Sequence, residues 1–125
     1  MSAKSNEPAM VQEMYDIAML TMNQIDSAGI DRASFISPSS SVEDLACEGI
    51  ILRVLRLTEE MGRLSQETAE RYAFETKSAR DLRNRLAHAY GSVDRELVWN
   101  VVEYDLPDIV SSCKAYADGL GVDLE

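Results

Sequence analysis

Apolar residues recur every three or four positions along most of this chain. Between residues 11 and 25 the steps alternate between four and three, which is the spacing of one face of an α-helix. Gly29 marks the end of this first helix, and the serine-rich segment 28–41 that follows is predicted to be a loop. Ser40 and Glu43 stand three positions apart, as in a capping box, so the second helix is predicted to begin there.

The second predicted helix has the most extensive apolar surface in the chain. A second row of apolar residues, Ile51, Leu52 and Leu55, widens its apolar face. A helix that is apolar over so much of its surface is expected to lie in the centre of the fold or in an interface. Its main row keeps the three-four stepping for about five turns and consists of Cys47, Ile50, Val54, Leu57, Met61 and Leu64.

The third helix follows a segment whose structure the pattern leaves open. Residues 65–74 are weakly periodic, so they either continue the second helix or form a bent connector. Ser78 and Asp81 form a capping pair that is predicted to start the third helix. An apolar stripe then runs over residues 79–93, and Gly91 is predicted to end the helix.

The fourth helix is predicted to begin at Asp94, whose side chain suits an N-cap. Its apolar stripe runs over residues 99–120. Pro107 interrupts this stripe and should kink or restart the helix, with Asp105 as a candidate second cap. The whole pattern predicts an all-α fold, an up-and-down bundle of four to five amphipathic helices.

The chain has 125 residues, which is enough for one compact domain. We expect a single domain over residues 10–120, preceded by a flexible N-terminal tail over residues 1–9. The N-terminal residues lack the apolar stretch of a secretory signal, and no apolar run approaches the roughly 20 residues needed to cross a bilayer. A cytoplasmic protein that does not contact membranes is therefore expected. Cys47 and Cys113 lie in apolar segments and are expected to be reduced core thiols, and a single histidine makes a zinc site improbable.

The formal net charge is −10, from 22 acidic and 12 basic side chains, which argues against bulk attraction to nucleic acid. Five basic residues nevertheless fall within fifteen positions close to the single histidine. Such a run is most often a solvated helix face, but it also suits a local positive site that binds a polyanion in a salt-dependent way. The five residues are Arg71, Lys77, Arg80, Arg83 and Arg85.

His88 is the only histidine of the chain, and its imidazole is the side chain best suited to exchange a proton near neutrality. Arg83 precedes it by five positions and Tyr90 follows it by two. Cleavage of RNA by its own 2′-hydroxyl needs a base, an acid and cationic donors for the phosphoryl charge, but no metal, because the nucleophile belongs to the substrate. His88 suits the base or the acid, and Arg83 suits the phosphate clamp. Asn84 is placed to hydrogen-bond a ring nitrogen or a substrate oxygen, while Tyr90 adds a donor.

The spacing of this motif raises a geometric difficulty. At about 100° per residue, the side chains of Arg83 and His88 point about 140° apart on a continuous helix, so they do not meet at one phosphate. Either the helix unwinds before His88, or a second copy of the chain completes the site.

The motif and its surroundings resemble the HepT-like branch of the HEPN families, which are small helical proteins of bacteria and archaea. The signature of that branch is an arginine, four residues, a histidine, one residue and a tyrosine. Arg83, His88 and Tyr90 match it position for position, and Asn84 follows the arginine as is usual there.

The resemblance covers roughly residues 10–118 and is sharpest over 80–110. Upstream, residues 57–65 look like a second helix segment of the family, whose carboxylates are expected to be exposed or salt-bridged. Many members carry a proline and a tryptophan in the connector before the motif helix, and residues 71–76 of this chain depart from that pattern.

The resemblance implies a homodimeric, metal-independent ribonuclease toxin that needs no cofactor of its own. It makes Arg83, His88 and Asn84 the catalytic residues. It also implies a partner, a minimal nucleotidyltransferase antitoxin that silences the toxin by transferring AMP from ATP to Tyr90. The acidic net charge keeps an alternative open, a non-catalytic HEPN helical module that binds a nucleotidyltransferase or a nucleotide.

Overall fold

The computed structural model describes residues 6–89 and 92–125, which fold into helices joined by short connections, with no β-strand among them. The prediction of an all-α bundle is confirmed. No helix in these ranges combines the length and the apolar character needed to span a membrane. In chain order the α-helices are α1 (Glu7–Ala28), α2 (Arg32–Ile36), α3 (Ser41–Met61), α4 (Gln66–Tyr72), α5 (Thr76–His88), α6 (Arg95–Asn100) and α7 (Leu106–Leu120).

The long helices pack around α1, which contacts both α3 and α7, while α5 packs against α3. α3 begins at the predicted place, because the Ser40 hydroxyl accepts a hydrogen bond from the backbone N–H of Glu43. All six residues of its main apolar row are buried, as predicted for a central helix. The second row is only partly covered, since Ile51 is buried but Leu52 is 55% exposed.

The segment 28–41 is not entirely a loop, because it contains the short helix α2. Asp31 caps this helix: its carboxylate accepts from the backbone N–H of Ser34, and its own N–H donates to the Ser34 hydroxyl. Phe35 is fully buried against Trp99, with the ring centroids 5.3 Å apart. The prediction of a loop was wrong here. It was based on the serine content and overlooked a capping pair that is followed by one core aromatic residue.

The motif helix α5 begins earlier than predicted. Its first residue is Thr76, so Ser78 and Asp81, the predicted capping pair, lie inside the helix. The helix continues to His88, and the N–H of Ala89 closes its end by donating to the Leu86 carbonyl. Gly91, which was predicted to end the helix, lies outside the described residues.

The predicted break at Pro107 is a change of helix type. Asp94 caps α6 as predicted, accepting from the N–H of Leu97. A π-helical turn, Val101–Asp105, then joins α6 to α7, and Pro107 lies in the first turn of α7, where a missing N–H costs little. The predicted second cap at Asp105 was wrong, because its backbone is helical and its side chain makes no capping hydrogen bond.

α1 begins at Glu7, inside the segment 1–9 that was predicted to be a tail. The side chain of Glu7 is only 4% exposed, although it is a carboxylate. It accepts hydrogen bonds from the backbone N–H of Ser65, the N-cap of α4, and from the hydroxyl of Thr68. The start of α1 is thereby tied to the start of α4, which is a tertiary contact that a periodicity analysis does not detect.

We predict that Glu7→Ala lowers the free energy of unfolding by about 2 kcal/mol, because it leaves the N–H of Ser65 and the buried hydroxyl of Thr68 without their acceptor. Glu13→Ala is the matched control, since Glu13 lies on the same helix but is exposed and, among the described residues, pairs with Arg56. Urea unfolding followed by circular dichroism measures both variants. Equal losses in the two variants would contradict this role of Glu7.

Candidate functional site

The helix that carries the motif packs against the rest of the fold along one narrow face. Of the thirteen residues of α5, all of them described, only Ala79 is buried. Leu82 and Leu86 are half-buried and pack against the core from the same side. The polar residues of the helix therefore point away from the core.

The predicted site residues Arg83, Asn84 and His88 are all exposed on this helix. α5 is helical from Thr76 through His88, so the unwinding before His88 that was one of two alternatives does not occur. On such a helix the side chains of Arg83 and His88 diverge by about 140°. Within one copy of the chain, this helix directs the guanidinium and the imidazole to different sides.

The guanidinium of Arg83 faces α3. Its Nε lies 3.6 Å from a carboxylate oxygen of Glu59, and one of its terminal nitrogens donates to the side-chain oxygen of Asn84 at 3.4 Å. Both members of the ion pair are 44% exposed, so water screens the pair and its contribution to stability is small. Glu59 therefore mainly orients the guanidinium of Arg83 and neutralises its positive charge only in part.

The imidazole of His88 is exposed at the last residue of α5. Within the described part of the chain, no hydrogen bond or ion pair engages it. Tyr90, the fourth predicted site residue, lies outside the described residues, so its role stays a prediction.

Two of the cavities beside α5 carry opposite charge. One, of about 340 Å³, lies between the end of α3 and α5, and its lining includes Arg83 and Asn84. The other, of about 380 Å³, lies on the side of α7 and has an apolar floor. The charged residues that line the second cavity are all acidic: Glu75, Asp105 and Asp108.

The acidic cavity does not suit a phosphate. Partial burial, together with the neighbouring charges of Asp108 and Glu75, raises the pKa of Asp105 above its ordinary value. A further negative charge there would be repelled. Of these two cavities, the one beside Arg83 suits an anion.

The two cysteines offer no alternative nucleophile. Cys47 and Cys113 are free and buried, as the sequence predicted. Burial raises the pKa of Cys113 to about 12, and burial also raises the pKa of Cys47 above its ordinary value. Both thiols therefore stay protonated near neutral pH, and a protonated thiol is a poor nucleophile.

The sequence pattern missed two features of this site. Glu59 was expected only to be exposed or salt-bridged, and the structure identifies its partner as Arg83. Arg63 and Arg80 line the same cavity as Arg83. The spacing of Arg80 and Arg83, three positions on a helix, was the signal that could have indicated a shared face.

An all-α bundle with an exposed arginine and histidine on one helix fits the HEPN class of helical proteins. The family model described as ribonuclease HepT-like matches residues 45–116, which is more than half of the chain and includes the whole motif. The chain belongs to this family. Neither the curated proteins nor the solved structures contain a chain that matches this one.

Proposed function

We propose that this chain is a metal-independent endoribonuclease, the toxin of a HEPN and minimal nucleotidyltransferase pair. The observation that carries the proposal is the exposed placement of Arg83, Asn84 and His88 on α5, within the segment matched by the HepT-like ribonuclease model. Ribonuclease activity is what the family description suggests.

The proposed reaction uses the 2′-hydroxyl of the RNA as the nucleophile. His88 removes the hydroxyl proton, or donates a proton to the leaving 5′-oxygen. The bond from the 2′-oxygen to phosphorus forms, and the bond from phosphorus to the 5′-oxygen breaks, which leaves a cyclic phosphate and a 5′-hydroxyl. No metal is needed to supply a nucleophile, because the substrate carries it.

Arg83 stabilises the negative charge that develops on the phosphoryl group. Glu59 pairs with its Nε and Asn84 accepts a hydrogen bond from one terminal nitrogen, and no described residue accepts a hydrogen bond from the other terminal nitrogen. That nitrogen is left for a phosphate oxygen. Asn84 is the third member of the site, because it holds the guanidinium from the next position on the helix.

We infer that the working unit is a homodimer. Each chain has one histidine, and α5 points it away from the arginine of the same chain, so the arginine of one copy and the histidine of the other form one site. The open surface of α5 and the half-covered apolar row of α3 supply faces that a second copy would bury.

The partner in this proposal is a minimal nucleotidyltransferase that uses ATP. It transfers AMP to the hydroxyl of Tyr90 and releases pyrophosphate. Tyr90 follows His88 by two positions, so the added nucleotide would place a negative charge and a bulky group beside the imidazole. Both effects would keep RNA out of the site.

We predict that the purified protein cleaves single-stranded RNA in the presence of EDTA, and that His88→Ala lowers the rate by about 100-fold or more. The variant should keep its fold, because His88 is exposed. Lys77→Ala, an exposed residue near the other end of α5, is the control and should retain the rate within about threefold.

Gel analysis of a labelled RNA measures this activity. Cleavage that survives in His88→Ala would remove His88 from the mechanism, and cleavage that EDTA abolishes would remove the metal-free chemistry. A folded protein that never cleaves RNA but binds a nucleotidyltransferase would instead support the non-catalytic module.

Co-expression with a cognate nucleotidyltransferase should add AMP to the chain, visible as discrete increments in intact mass. Tyr90→Phe should abolish the increments, because it removes the acceptor hydroxyl. Tyr104→Phe is the matched control, since Tyr104 is 63% exposed and lies outside the motif. Increments that persist in Tyr90→Phe would place the modification on another residue.

A further inference from the structure

The cavity beside Arg83 contains two guanidinium groups that the motif does not include. We propose that Arg63 and Arg80 bind a second phosphodiester of the RNA strand, next to the one held by Arg83. This inference rests on the proposed function, because it extends the same site along the substrate. It assigns a binding role to a cleft that consists of the end of α3 and one side of α5.

The cleft reverses the charge of the protein locally. Its charged lining residues are Arg63, Arg80 and Arg83 against the single lining carboxylate of Glu59, and Glu60, which pairs with Arg63 from outside the lining, leaves a local net charge of +1. The whole chain carries −10. An acidic protein that binds RNA needs such a site, because the phosphate charge of the strand supplies much of the affinity.

Arg80 is held in place before any ligand arrives. A Cβ atom at Gly62 would lie 2.8 Å from the Cγ of Arg80. The aliphatic part of the Arg80 side chain therefore fills space that the side chain of any other residue at position 62 would need. One terminal nitrogen of Arg80 donates to the carbonyl of Gly62 at 3.0 Å. A side chain already fixed in this way loses little conformational freedom when it binds a phosphate.

The charge of Arg80 is not balanced within the described residues, since its hydrogen bond is to the neutral carbonyl of Gly62 and no described carboxylate forms an ion pair with it. Arg63 pairs with Glu60 at 3.6 Å, but its side chain is 67% exposed, so water weakens this pair. Both guanidiniums therefore keep donors and charge for an incoming anion.

The arrangement suits a strand better than a single anion. Arg80 and Arg83 lie three positions apart on α5 and so share one face, while Arg63 faces them from the end of α3. A row of guanidiniums along one cleft matches a ligand with phosphates in series. Thr58 and Asn84 add uncharged polar side chains to the same wall.

Binding of a short single-stranded RNA with 2′-O-methyl groups tests this proposal, because that RNA lacks the nucleophile and is not cleaved. Fluorescence anisotropy of the labelled oligonucleotide is measured over a range of salt concentrations. We expect Arg63→Gln and Arg80→Gln each to weaken binding by about fivefold. Each should also reduce the slope of log affinity against log salt by about 0.7, the value for one lost contact to a single strand.

Arg56→Gln is the matched control, because Arg56 lies seven positions before Arg63, is exposed, and pairs with Glu13 away from the cleft. It should leave affinity and salt slope unchanged. Arg80→Lys keeps the charge and should retain most of the slope. If Arg80→Gln fails to fold, Arg63→Gln still tests the cleft, since Arg63 lies beyond the end of α3.

The outcomes distinguish the proposal of a phosphate-binding cleft from the proposal of nuclease activity. If the protein cleaves ordinary RNA but Arg63→Gln and Arg80→Gln bind like Arg56→Gln, the cleft proposal is overturned and the nuclease stands. If the oligonucleotide binds with the expected arginine dependence but ordinary RNA is never cleaved, the cleft stands and the nuclease fails. If the unaltered protein does not bind the oligonucleotide at low salt, the cleft proposal is overturned.

Discussion

The packing of α5 against α3 is the constraint on which the candidate site depends. Ala79 is the one fully buried residue of α5, and Gly62 at the end of α3 leaves room for the stem of Arg80 beside it. Because so little of α5 is buried, most of its surface is available for polar residues. This contact also fixes the rotation of α5 about its own axis. As a result Arg83 faces Glu59, while the side chain of His88 is directed to a different side of the helix.

In the proposed function, this geometry lets an acidic protein bind a polyanion. The net charge describes the whole surface, but a ligand responds mainly to charges within about 10 Å at ordinary salt. The side chains that line the cavity between α3 and α5 carry a positive net charge, and those that line the cavity on the side of α7 carry a negative one. The two cavities thus have opposite charge on two sides of one helix. In the proposed function, RNA approaches from the side of Arg83.

Local signals in the sequence were sufficient for much of the fold. Ser40 and Asp94 cap their helices as predicted, and the main apolar row of α3 is buried throughout. Such features depend on residues three or four positions apart, so a sequence shows them directly. Ser78 and Asp81 show the limit of the same reasoning, because their capping pattern occurs in a helix that had already begun.

What the sequence did not show depends on contacts between distant positions. Glu7 reaches Ser65, and Glu59 reaches Arg83, across separations that no periodicity detects. The cleft combines residues near 60 with residues near 80 for the same reason. Arg83, Asn84 and His88 are exposed, but only the structure showed that α5 stays helical through His88.

The central claim is that arginine and histidine act together only across two copies of the chain. Mixing inactive Arg83→Ala protein with inactive His88→Ala protein, under conditions that allow subunits to exchange, tests it directly by RNA cleavage. A shared site predicts about a quarter of the unaltered activity at equal amounts, because half of the dimers are mixed and each holds one intact site of two. A mixture as inactive as its components, although mass measurements show that mixed dimers form, would contradict the claim.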